Sequence, residues 1–115
     1  MREPKLSVIR MKCSIVIPTK NNADTLERCL RSIRNLDFPK DEYEVIIVDG
    51  HSTDSTVEIA KKDGCKVFFE DKGVIGYARD LGVKHAEGEF IAFTDADCVV
   101  EMNWLMELLR HFDDD

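Results

Sequence analysis

Four short runs of apolar residues alternate along this chain with segments whose apolar residues recur at helical spacing. The runs occupy residues 13–17, 43–48, 66–69 and 90–94. Consecutive Val and Ile residues, as in 45–48, are typical of strands buried on both faces of a parallel sheet. Strands that alternate with helices form βαβ units, which place helices on both faces of such a sheet. The sequence therefore predicts an α/β fold of Rossmann-like type, a three-layer αβα sandwich around a mostly parallel sheet.

The helices are predicted from apolar residues spaced at i, i+3 or i+4, and i+7, which share one face of a helix. The first helix spans 23–34. The second begins after several capping residues near Thr56 and ends before Gly64. The third is predicted over 73–86 and the fourth from about Asn103. The residues predicted to face inward are Leu26, Cys29, Leu30 and Ile33 in the first helix, Val74, Ala78 and Leu81 in the third, and Leu105, Leu108, Leu109 and Phe112 in the fourth.

Charge and length exclude several classes of partner. The formal net charge is −7, which argues against a surface for nucleic acid or for an anionic membrane. No segment approaches the length of a membrane span. The 115 residues are enough for one domain. We predict that residues 13–115 form that domain and that residues 1–12 are a leader.

The four cysteines indicate the compartment. Cys13, Cys29, Cys65 and Cys98 lie far apart and form no Cys-x-x-Cys pair, which favours buried reduced thiols over a zinc site. Disulfide pairing in an oxidising compartment is the alternative. Residues 1–12 lack the sustained apolar stretch of an export signal. The predicted location is therefore the cytoplasm.

Polar residues follow three of the predicted strands, at 18–22, 49–52 and 94–97. In an open α/β sheet, ligands bind outside the carboxyl ends of the strands, where the strand order reverses. The three clusters would share that edge and form one site. The alternative is that they are ordinary polar turns that supply helix caps. Three such turns together favour a ligand site.

Asp95 and Asp97 follow the last apolar run and are separated by one residue. In an extended segment, alternate side chains point the same way, so the two carboxylates would lie close together and repel each other. A divalent cation removes that repulsion, and Mg²⁺ typically uses one or two carboxylates together with substrate phosphates. The alternative is that both are ordinary turn residues, because Asp is common where strands stop.

Several ligand classes are disfavoured by missing motifs. The first strand is not followed by Gly-x-Gly-x-x-Gly, and the chain has no Gly-x-x-x-x-Gly-Lys-Ser/Thr, so dinucleotide and P-loop sites are disfavoured. The nucleophile elbow Gly-x-Ser-x-Gly is also missing. The remaining candidate is a carboxylate-rich pocket for a nucleotide diphosphate that arrives with its metal.

Four motifs in order carry a family resemblance. They read SIVIPTKNN at 14–22, VDGHSTDST at 48–56, ARDLG at 78–82 and GEFIAFTDAD at 88–97. Together they resemble the N-terminal half of family 2 glycosyltransferases, which have the GT-A fold. The resemblance implies a glycosyltransferase of inverting type, or its donor-binding half. Such a protein transfers a sugar from a metal-bound nucleotide diphosphate sugar to an acceptor hydroxyl. The acceptor is unknown.

The resemblance also implies roles for single residues. The residues of the implied donor site are Pro18, Lys20 and Asn22 in the first donor loop, Asp49 at the nucleoside, Arg79 near the nucleotide, and Asp95, Ala96 and Asp97 at the ribose and diphosphate. Asp95 and Asp97 would hold Mg²⁺ or Mn²⁺. Two departures stand out. Lys20 replaces a frequent aromatic residue, and the acceptor half with its catalytic base has no counterpart in these residues.

Two other interpretations compete with a glycosyltransferase. One is a non-catalytic nucleotide-binding module, or a truncated remnant that acts with a partner. The other, a flavodoxin-like or receiver-like signalling domain, does not account for the order of the motifs. If the acceptor half is missing, the last helix leaves apolar surface uncovered, and we predict self-association as a homo-oligomer through it.

Overall fold

The computed structural model describes residues 11–113 and confirms the predicted alternation of strands and helices. Its elements are β1 (Cys13–Thr19), α1 (Ala23–Arg34), β2 (Tyr43–Asp49), α2 (Thr56–Lys62), β3 (Lys66–Phe69), α3 (Ile75–His85), β4 (Phe90–Phe93) and α4 (Trp104–Asp113), with a 3₁₀ turn at Lys40–Glu42. Apart from residues 11 and 12, the predicted leader lies outside the described residues. In this part of the chain, none of the helices has the length and apolar character needed to cross a membrane.

The four strands form one parallel sheet in the order β3-β2-β1-β4. β1 lies in the centre, where Ile15 is in register with Val45 of β2 on one side and with Ala92 of β4 on the other. The chain moves outward from β1 through β2 to β3 and then returns to add β4 beside β1. The strand order therefore reverses between β1 and β4, which is where α/β sheets bind their ligands.

Alternate side chains of the strands point to opposite faces of the sheet and pack into two hydrophobic cores, one on each face. On one face Ile15, Ile17 and Ile47 pack with the apolar sides of α1, α2 and α4. On the other face Val16, Ile46 and Val48 pack against α3. Helices thus cover both faces, which confirms the predicted three-layer α/β arrangement.

Two of the predicted helix faces need correction. The structure confirms all four inward residues of α1. Val74 is 54% exposed, because α3 begins only at Ile75, after Gly73 with its left-handed φ of +69°. Leu108 is 40% exposed, because α4 packs through Leu105 and Leu109 instead. The side chain of Phe112 lies outside the described residues.

The cysteines are all unpaired thiols, as predicted, but only Cys13 and Cys29 are buried, whereas Cys65 is half-buried. Burial raises the pKa of Cys13 and of Cys29 to about 11, and that of Cys65 to about 12. These three thiols are therefore uncharged at neutral pH and unreactive. Cys98 is exposed, because it lies in the turn that follows β4.

A buried carboxylate at the amino end of the sheet links three elements. Glu44 Oε2 accepts hydrogen bonds from Ser14 Oγ at 2.5 Å and from the Glu87 N–H at 2.8 Å, and Lys66 Nζ lies 2.7 Å from Oε1. Burial alone would raise the pKa of Glu44. The hydrogen bonds from Lys66, Ser14 and the Glu87 N–H outweigh it and hold that pKa below its ordinary value.

We expect Glu44→Gln to lower the free energy of unfolding by about 2 kcal/mol at neutral pH. Because the folded-state pKa is depressed, the carboxylate stabilises the fold above its unfolded-state pKa and loses this effect as the pH falls. The deficit of the variant should therefore shrink in acid. Urea unfolding at neutral and acidic pH measures it, with the exposed Glu58→Gln as control. A deficit that does not change with pH would contradict this account.

Candidate functional site

A cleft of about 360 Å³ opens at the carboxyl edge of the sheet and contacts the ends of all four strands. It spans the point where the strand order reverses, as the polar turns predict. Six of the eight predicted donor-site residues line it: Pro18, Lys20, Asn22, Asp95, Ala96 and Asp97. The other lining residues are Thr19, Val48, Gly50, Glu70, Gly73, Val74 and Ala78.

Asp95 and Asp97 extend from a turn and not, as predicted, from an extended strand. β4 ends at Phe93, and the Cys98 N–H donates to the Asp95 carbonyl at 3.0 Å. Ala96 between them is buried in the core, whereas both aspartates are exposed in the cleft wall. The turn therefore directs the two carboxylates to the cleft while Ala96 anchors it.

This turn has the donors for a divalent cation. One carboxylate oxygen each from Asp95 and Asp97 and the Cys98 Sγ lie within 4.8 Å of one another. Among residues 11–113, neither carboxylate forms an ion pair with a lysine or arginine. Within the described part of the chain, no ion pair therefore offsets their two negative charges. Carboxylate oxygens are the ligands that Mg²⁺ and Mn²⁺ prefer, so the residues fit such an ion.

The loops after β1 and β2 are joined by hydrogen bonds that fix the floor of the cleft. Asn21 has a left-handed φ of 54°, and its Oδ1 accepts from the Thr53 N–H at 2.8 Å. Its own N–H donates to Ser52 Oγ at 2.7 Å. The Asn22 N–H donates to Thr56 Oγ1 at 2.8 Å. These hydrogen bonds hold the two loops together.

Asp54 caps two helices at once. Its Oδ2 accepts from the Ala23 N–H at 3.1 Å at the start of α1, and its Oδ1 accepts from the Thr56 N–H at 3.0 Å at the start of α2. The hydrogen bond from the Thr56 hydroxyl, the largest influence, lowers the pKa of Asp54. A carboxylate is favourable at both positive helix ends.

Asp49 lies beneath the cleft and not in its wall. It is fully buried, and its carboxylate accepts from Thr19 Oγ1 at 2.6 Å, from Ser52 Oγ at 2.6 Å and from the Ser52 N–H at 2.7 Å. These bonds join the ends of β1 and β2 to the following turn. The next residue, Gly50, does line the cleft.

The two positively charged residues predicted for the donor site, Lys20 and Arg79, differ in their position relative to the cleft. Lys20 lines the cleft, but its ammonium donates to the carbonyls of Gly50 at 2.7 Å and His51 at 3.1 Å. Arg79 does not line the cleft. Its guanidinium lies over the ring of Phe93, 5.5 Å from the centroid, next to the turn that carries Asp95.

Sequence reasoning missed Glu70, a buried carboxylate in the cleft wall. Its Oε1 accepts from the N–H groups of Lys72 at 2.9 Å and Gly73 at 2.7 Å, which shapes the turn after β3. A signal was present, because Glu70 directly follows the third strand, at the same sheet edge as the other polar turns. The three polar clusters recognised in the sequence did not include this one.

Comparison with known proteins identifies the family of the chain. The family model described as "Glycosyl transferase family 2" matches residues 14–115. The chain belongs to glycosyltransferase family 2. The chain is 36% identical over 98 residues to Glycosyltransferase AglE of Haloferax volcanii. The matched region covers 80% of this chain and 32% of AglE.

Solved glycosyltransferase structures show the same fold. The crystal structure of Staphylococcus aureus TarS 1-349 in complex with UDP-GlcNAc is similar at 35% identity and a TM-score of 0.83, covering 90% of this chain and 32% of that one. Mannosyltransferase PcManGT from Pyrobaculum calidifontis, in complex with GDP-Man and Mn²⁺, is similar at 28% identity and a TM-score of 0.79, covering 92% and 33%. The expected GT-A fold is confirmed. The chain spans about a third of the length of AglE and of these two solved chains, and 20% of a longer solved TarS chain.

Proposed function

We propose that this chain is the donor-binding part of an inverting family 2 glycosyltransferase. Its cleft would hold a metal-bound nucleotide diphosphate sugar, whose sugar passes to an acceptor hydroxyl. The observation that carries the proposal is the pair Asp95 and Asp97, exposed in the cleft wall without an ion-pair partner among the described residues. The relatives crystallised with UDP-GlcNAc and with GDP-Man and Mn²⁺ support it.

The proposed metal ligands are Asp95 and Asp97, with Mg²⁺ or Mn²⁺ as the cation. When bound, the cation neutralises negative charge on the diphosphate leaving group. Around it, Pro18, Lys20 and Asn22 form the wall of the cleft that follows β1. Ala96 holds the metal-binding turn against the core. These residues position the donor.

The two predicted residues outside the cleft wall receive supporting roles in the proposal. Asp49 fixes the turn that presents Gly50, through its bonds to Thr19 and Ser52. Arg79 covers Phe93 at the end of β4 and so supports the turn that follows. Both would act through residues that contact the donor.

Calorimetric titration of the chain with UDP-, GDP- and dTDP-sugars, with and without Mn²⁺, tests the proposal. We expect one nucleotide to bind in the presence of Mn²⁺ and to bind much more weakly after chelation with EDTA. Binding alone would also satisfy the non-catalytic module, so hydrolysis or transfer of the sugar is then assayed. A folded chain that binds none of these donors would contradict the proposal.

Two further expectations remain proposals. Val99, Met102, Met106 and Leu108 are exposed apolar residues in and before α4, and they support the predicted homo-oligomer. Sedimentation velocity tests it, and a monomer at high protein concentration would contradict it. The proposed compartment is the cytoplasm, supported by four unpaired cysteines.

A further inference from the structure

The thiol of Cys98 lies beside the two carboxylates of the metal-binding turn. Its Sγ is 3.8 Å from Asp97 Oδ1, and it lies within 4.8 Å of one carboxylate oxygen each from Asp95 and Asp97. A sulfur and an oxygen that bind one tetrahedral Zn²⁺ ion are about 3.6 Å apart, since the bonds are about 2.3 and 2.1 Å long. The sulfur and the Asp97 oxygen are therefore already spaced nearly as one ion requires.

The backbone of this turn is held in place around the three side chains. The Cys98 N–H donates to the Asp95 carbonyl at 3.0 Å, and Cys29 Sγ donates to the same carbonyl at 3.5 Å. Ala96 is buried in the core. Because these contacts fix the turn without an ion, binding of an ion has little backbone left to order.

Cys98 is accessible for binding, and it does not block the donor cleft. Among the four cysteines, all of which belong to the described residues, it is the exposed one, and it forms no disulfide. It does not line the cleft, although Asp95 and Asp97 do. The sulfur therefore lies beside the carboxylates and outside the donor cavity, and it leaves the cleft side of the turn free for a diphosphate.

We propose that Cys98 Sγ is a third protein ligand of the cation bound by Asp95 and Asp97. This inference deepens the proposed function and rests on it, because it concerns the same metal site. Thiolate sulfur favours ions such as Zn²⁺ and Cd²⁺, whereas Mg²⁺ and Mn²⁺ favour oxygen ligands. The sulfur binds as the thiolate and releases its proton to the solvent. Cys98 thus shifts the selectivity of the site towards Zn²⁺ and Cd²⁺, beyond what two carboxylates alone provide.

The variant Cys98→Ser tests this role, because it replaces the sulfur with a hydroxyl oxygen at an exposed position. Cd²⁺ added alone to the wild-type chain should produce the ultraviolet charge-transfer band of a bond between Cd²⁺ and a thiolate. The variant should lack this band, and its Cd²⁺ affinity, measured by calorimetry, should fall at least about 10-fold. Its Mn²⁺ affinity, measured by electron paramagnetic resonance, should stay within about twofold of wild type, since oxygen ligands hold Mn²⁺.

Two control variants separate a shared ion from other effects. Cys65→Ser removes a thiol that does not line the cleft, and it should keep the band. Asp97→Asn keeps the thiol but should weaken the Cd²⁺ affinity read from the band at least about 10-fold, because both residues bind one ion. An unchanged Cd²⁺ affinity in Asp97→Asn would mean that the thiol binds Cd²⁺ by itself, and this result overturns the inference.

Three other results would also overturn the role of Cys98. They are a wild-type chain without the band, a band that persists in Cys98→Ser, and equal losses of Cd²⁺ and Mn²⁺ affinity in that variant, which would indicate a structural role. In each case the binding of UDP or GDP in Mn²⁺ still decides the donor site independently. If the wild-type chain shows the band but binds neither nucleotide, the donor site is overturned and the metal site with Cys98 stands.

Discussion

Replacing Gly88 by alanine is expected to lower the free energy of unfolding by about 3 kcal/mol, a large part of the stability of a small domain. A Cβ at Gly88 would lie 2.6 Å from the Cys13 carbonyl carbon, 2.6 Å from the Ser14 nitrogen and 2.7 Å from Ser14 Oγ. Two of these are backbone atoms of the central strand β1, which has neighbours on both sides and cannot move aside. The Gly88 N–H also donates to Ser14 Oγ at 2.8 Å, and a displaced loop would lose that bond.

Gly76→Ala is the matched control. Nothing lies within 4 Å of a Cβ at Gly76, which is in the first turn of α3. Alanine is the better helix former, so this variant should be neutral or more stable by up to about 1 kcal/mol. Urea unfolding of both variants, followed by circular dichroism, measures the difference. Equal stabilities would contradict the close approach of Gly88 to β1.

The fold was predictable because its main signals are local. Four apolar runs became four strands, and the i, i+3, i+4 and i+7 pattern of α1 identified its buried face. The errors concern residues whose burial depends on how the helices pack and where they begin, which a local pattern does not show. Leu108 obeys the helical period of α4 but falls at the border of the packed face. Val74 obeys the period of α3 but precedes the helix, because Gly73 adopts a left-handed conformation.

The site was only partly predictable for a related reason. The one-residue separation of Asp95 and Asp97 indicated that their carboxylates lie close together. A turn rather than a strand brings them together. Asp49 ends a buried strand, and the sequence does not reveal that its carboxylate is bonded to Thr19 and Ser52 beneath the cleft. Glu70 Oε2 lies close to Gly50, the residue that follows the neighbouring strand β2. No periodicity records such a contact.

Asp97→Asn is expected to weaken Mn²⁺-dependent binding of the donor nucleotide by at least about 100-fold. The variant keeps one charged ligand of two. A difference of about 3 kcal/mol is reasonable for losing a unit charge near a divalent cation at a partly exposed site, and each 1.36 kcal/mol is about tenfold in affinity. Asp37→Asn makes the same charge change at an exposed loop position away from the cleft and should bind like wild type.

The sign of the effect without metal distinguishes a metal ligand from a direct contact with the nucleotide. After chelation with EDTA, Asp97 only repels the diphosphate, so Asp97→Asn should bind at least as tightly as wild type. Removing a like charge a few ångströms away relieves about 1 kcal/mol in an exposed setting. The order of the two affinities would therefore reverse between Mn²⁺ and EDTA. If Asp97 instead accepted a hydrogen bond from the nucleotide, the variant would bind more weakly in both solutions, and the assignment of Asp97 as a metal ligand would be wrong.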